Sequence, residues 1–90
     1  MPADLEEKAD RYERLLAEAL SVAEPAEGAT AHAADCLEMA SSYLDDGRHF
    51  RETDDPVNAL AAFSYAHGWL DAGARLGVLD VPADSELFTV

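Results

Sequence analysis

The stretch DDPVNALAAFSYAHGWLDAGARLGVL, from Asp54 to Leu79, decides the fold, because it reads as one helix with little charge on either of two opposite faces. Asp55 can cap the helix, and Pro56 suits its first position, where a missing backbone N–H leaves nothing unpaired. The helix is predicted over residues 56–76, with Gly77 beyond it as the residue that tolerates a left-handed C-terminal turn. Ala59, Ala62, Phe63, Ala66, Trp69, Leu70, Gly73 and Leu76 recur at helical spacing and form a core stripe. On a helical wheel the opposite side carries Ala61, Ser64, Tyr65, Gly68, Ala72 and Arg75. The chain is 28% charged, which would place about six charges between Pro56 and Leu76, yet only Asp71 and Arg75 stand there. A chain of 90 residues can cover one side of this helix. The other side points to a partner, either a second copy in a homodimer or another protein.

Ser64, Gly68 and Ala72 follow one another four apart, so their small side chains outline a shallow groove along which a helix backbone can come close. A two-fold pair would set that groove against itself, the commonest association of soluble proteins. Two plainer readings stand beside it. Alanine and glycine populate exposed helices in alanine-rich chains, and the chain's own end, Val81 to Val90, could lie over the groove.

Two further helices precede this one. The first is predicted over residues 4–23, with Asp4 as N-cap, Glu7 completing a capping-box-like pair, and a narrow stripe of Leu5, Ala9, Tyr12, Leu16, Ala19 and Ala23. Glu24-Pro25 ends it, since the residue before proline is pushed out of helical geometry. The second is predicted over 30–51, its stripe formed by Ala33, Cys36, Ala40, Tyr43, Gly47 and Phe50 and widened by Leu37 and Leu44. Gly47 has two readings here: close approach of a neighbouring helix, or an early helix end. Three amphipathic helices joined by short turns bury their stripes against one another, so the expected fold is all-α, an antiparallel up-and-down three-helix bundle. The tail, residues 78–90, is too short and proline-marked for another full helix. Its apolar Leu87, Phe88 and Val90 are expected to strap over a groove of the bundle.

Composition agrees with a single helical domain: Ala, Leu and Glu abound, while Ile and Gln are absent. Nineteen acidic residues against six basic ones give a formal net charge of −13, and Lys8 is the one lysine. Self-repulsion of that size loosens a small domain in dilute salt, whereas molar salt shortens the Debye length to about 3 Å and makes it tolerable. The expected environment is a salt-accumulating cytoplasm. The same balance argues against nucleic acid as a partner, because Arg11, Arg14, Arg48, Arg51 and Arg75 are too scattered to line a phosphate-binding face. Cys36 is the single cysteine and has no internal disulfide partner; the start MPADLEEKADRYE is neither basic nor apolar, and no apolar run is long enough for a bilayer span. No membrane association is expected.

Chemistry has little to work with. No phosphate-cradling glycine loop, no HExxH and no serine or cysteine in a nucleophile motif is present, so the chain is expected not to be an enzyme and to need no cofactor. His67 and Asp71 share one side of the third helix, and His32 and Cys36 share one side of the second, types that could together bind zinc. Against that, Cys36 lies on an apolar stripe, where a thiol packs as a small hydrophobe, and Arg75 follows Asp71 at ion-pair spacing. The alternative to an interaction module is therefore a small-molecule or metal-binding helical protein, with a pocket between the second and third helices lined by Tyr43, His67 and Trp69.

The run from Tyr43 to Leu79, above all SYAHGWLDAG at Ser64 to Gly73, resembles an archaeal family of small proteins described as domain of unknown function 357. The closing LFTV, Leu87 to Val90, is similar to archaeal sequences of the same type. The resemblance covers the second and third helices well and the first in length and pattern. It implies a short up-and-down helical bundle from an archaeon and brings no activity or site residues with it. Phe50 to Trp69 is also loosely similar to one helical hairpin of tetratricopeptide or microtubule-interacting-and-transport type, but no second copy of the unit is present.

Overall fold

A computed structural model describes residues 2–83 and 86–88. Its three helices are α1 (Pro2–Val22), α2 (Thr30–Glu52) and α3 (Pro56–Arg75). Short connections send α2 back against α1 and α3 back against α2. The result is an antiparallel, up-and-down bundle about 44 Å long. The α2–α3 contact is the most extensive and α1 leans mainly on α3, so α3 is the spine of the molecule.

Local chemistry explains where α3 starts and stops. The Asp55 side chain accepts a hydrogen bond from the Asn58 backbone N–H at 3.1 Å, and Pro56 follows at the first helical position. At the other end Val78 N–H donates to Gly73 C=O at 2.9 Å and Gly77 N–H to Ala74 C=O at 3.2 Å, with Gly77 at φ 77°. That pair of bonds is a Schellman turn, and it needs a residue that accepts positive φ. Helix α1 begins earlier than its sequence implies. Asp4 therefore lies inside the first turn, where its charge complements the exposed N–H groups, instead of acting as the cap.

The core is built from small residues around a few large ones. Ala9, Ala19, Ala33, Ala40, Ala59 and Ala66 are fully buried, and Phe63, Leu16 and Leu70 are the largest side chains removed from water. Alanines let helices approach closely. Gly47 carries this furthest: a Cβ there would lie 2.6 Å from Cδ1 and 2.8 Å from Cζ of Phe63. Of its two readings, close approach is the one observed, and α2 runs on past it to Glu52.

Two residues expected in the core are not there. Leu76 is 77% exposed, because the Schellman turn ends the helix and sends the chain back so that Leu79, 3% exposed, fills the space beside Gly73 instead. Tyr12 is 43% exposed, its ring too large for the close contact that Ala9, Leu16 and Ala19 give α1. Trp69, Cys36, Tyr43 and Phe50 are half-buried at the edges of their seams.

Glu24-Pro25, expected only to end the first helix, also forms a two-residue strand, β1. It pairs antiparallel with β2 (Leu79–Asp80), Glu24 opposite Asp80 and Pro25 opposite Leu79. Ala26 N–H extends the pairing to Val78 C=O at 2.9 Å. The tail packs on its own bundle as a strap: Phe88 is buried in the core cluster and Leu87 packs against it. Val90 lies outside the described residues.

Candidate interaction face on the third helix

All six residues predicted for the outer side of α3, Ala61, Ser64, Tyr65, Gly68, Ala72 and Arg75, are exposed in the folded chain. The described tail residues pack elsewhere. Glu86 and Leu87 line a concavity with Arg11, Leu15 and Glu18 of α1, and the Leu87 carbonyl is hydrogen-bonded to His67 Nε2. Within the described chain nothing covers the middle of this face: a Cβ built on Gly68 meets no atom within 4 Å.

The face has relief. Tyr65, Gly68, Trp69 and Ala72 line a shallow concavity of ≈ 400 Å³. A second one of ≈ 360 Å³ continues from Tyr65 towards the N-terminal end of α3 and is lined by Tyr43, Asp46 and Phe50 of α2 with Asn58, Ala61, Ala62 and Tyr65 of α3. Tyr43 and Tyr65 separate the two as a stacked pair, ring centroids 4.5 Å apart and planes 11° from parallel. Such a stack adds about 0.5–1.5 kcal/mol beyond area burial and holds α2 and α3 in register at the surface. Tyr65 remains 52% exposed despite the stack, and Val57 and Leu76 extend the apolar surface at the two ends of the helix.

Tyr43, His67 and Trp69, expected to line one pocket, do not share either of these concavities. Tyr43 lines one concavity, Trp69 the other, and His67 is turned to the tail, bonded to Leu87 and edge-on to Phe88 at 6.4 Å. His67 thus anchors the strap. His32, Cys36, His67 and Asp71 are not gathered as a ligand set either; no group of three His, Cys, Asp or Glu able to hold a metal ion occurs among the described residues. His32 is exposed, whereas the Cys36 sulfur lies close to Gly73.

The sequence reading missed two features. Asp46 and Asn58 border the second concavity, and their spacing to Tyr43 and Ala61, three residues in each case, could have revealed them. The arginines are also less scattered than their positions imply. Arg48 Nε reaches Glu13 at 3.1 Å, Arg51 Nη1 reaches Glu13 at 2.7 Å and Asp10 at 3.4 Å, and Arg14 Nε reaches Asp10 at 3.1 Å. Hydrogen bonding to Glu13 raises the Arg51 guanidinium above its already high ordinary value, against the lowering effect of partial burial. This network ties α1 to α2.

A family model described as protein of unknown function (DUF357) matches residues 11–79, from within α1 to β2. No curated protein and no solved structure matches the chain. Among the described residues no helix is long and apolar enough to cross a membrane.

Proposed function

The chain belongs to the DUF357 family of proteins of unknown function, and from that premise we propose that it is a non-enzymatic helical interaction module that self-associates through α3. Its setting in this proposal is the cytoplasm of a salt-accumulating archaeon, where a net charge of −13 is screened. One observation carries the reading: the exposed side of α3 carries Arg75 as its one charged residue in a chain of net charge −13, and it exposes Tyr65, Val57 and Leu76. Exposed apolar side chains along one sparsely charged helix face support a docking role for it. Burial against a second protein supplies the cover that the described residues of the chain do not.

Gly68→Glu tests this cleanly, since open space around Gly68 lets the side chain enter without disturbing the monomer. Light scattering in molar salt is expected to give a dimer for the wild type and a folded monomer for the variant. A wild type that is monomeric at every concentration overturns the proposal. A small-molecule site is the second reading, supported by the aromatic lining of the ≈ 360 Å³ concavity between α2 and α3.

A further inference from the structure

The second concavity is chemically specific in a way that a plain helix seam is not. Three aromatic residues, Tyr43, Phe50 and Tyr65, line it together with Asp46 and with Asn58, whose side-chain amide donates to Asp55 at 2.7 Å. Aromatic faces and a carboxylate together select a flat cation, and a guanidinium is the side chain that satisfies both, stacking on rings while its N–H fork meets the acid. Among the described residues Arg14, Arg48 and Arg51 already pair with Asp10 and Glu13, and of the remaining arginines Arg11 lies on α1 while Arg75 lies on the α3 face. Arg75 is exposed at the far end of the same face. It cannot reach its own concavity, because at 1.5 Å of rise per residue it stands about 21 Å along α3 from Ala61.

We propose that this concavity receives Arg75 of a second copy of the chain, the two α3 helices crossing antiparallel about a two-fold axis at Gly68. The proposal rests on self-association through α3 and specifies its register. Gly68 lies midway between Ala61 and Arg75 in sequence, so a two-fold axis there brings each Arg75 level with the partner's Ala61 and hence with Asp46. Ser64 then comes level with the partner's Ala72, and small residues occupy the crossing point. A parallel pair instead sets Arg75 against Arg75 and Asp46 against Asp46. Like charges at both ends disfavour it, and the antiparallel pair gains at both ends.

A charge swap tests the register. Arg75→Asp and Asp46→Arg are each expected to raise the dimer dissociation constant about tenfold or more in sedimentation equilibrium, and the double variant, which has the wild-type net charge, is expected to recover most of that loss. Lys8→Asp on α1 makes the same charge change as Arg75→Asp away from the face and is the control; circular dichroism checks that every variant folds. Recovery in the double variant supports the register. An Arg75→Asp effect no larger than that of Lys8→Asp, or a double variant as dissociated as either single, overturns it. If Gly68→Glu still dissociates the dimer in that case, the α3 face stands and only the register falls; a wild type monomeric throughout removes both.

Discussion

The two long sides of α3 are made of similar residues and meet opposite surroundings. Inward, Ala59, Ala62, Ala66 and Gly73 make room for Phe63, Leu70 and Leu79, and Gly47 of α2 lies against the Phe63 ring. Outward, Ala61, Ser64, Gly68 and Ala72 are exposed, and among the described residues no atom comes within 4 Å of a Cβ built on Gly68. Small residues on a helix are thus an invitation to close approach, and what distinguishes the sides is which neighbour the chain itself supplies.

That contrast can be broken from the inward side first. Phe63→Ala should cost about 3–5 kcal/mol, since it empties the space between α2 and α3 and the surrounding alanines have no bulk with which to close it; chemical denaturation measures it, and a loss under about 1 kcal/mol would show the ring is not the keystone. Gly47→Ala is next. The added methyl gains helix propensity but collides with a buried ring, so a net destabilisation of about 1–3 kcal/mol is expected, read from the same titration. Gly68→Ala has the smallest expected effect and the opposite sign. With nothing near its Cβ, the monomer should gain up to about 1 kcal/mol, several degrees in thermal midpoint for a domain this size, while self-association weakens. Equal responses at Gly47 and Gly68 would erase the difference between the sides.

Most of the architecture was legible because α3 announces both its ends. Asp55-Pro56 and Gly77 are local signals, and the structure uses each for the hydrogen bonds its chemistry offers. The outer face was legible too, since wheel position alone selects residues and all six are exposed. What sequence could not give depends on distant partners. Gly47 kept two readings until Phe63 was placed over it, and Leu76 was assigned inward because spacing does not reveal that Leu79 returns to take the position. Asp10 and Glu13 meet Arg48 and Arg51 across two helices, a pairing no local spacing encodes. His67 sorted with Tyr43 and Trp69 by residue type, yet its ring is bonded to the tail at Leu87.

The short ladder between Glu24-Pro25 and Leu79-Asp80 ties the chain before α2 to the chain after α3, so the intervening hairpin becomes a closed loop with its mouth stitched shut. Its two helices cannot drift apart at that end without first giving up the Ala26–Val78 bond. The Ala26 amide consequently acts as a sentinel, surrendering its proton to solvent only when the mouth opens.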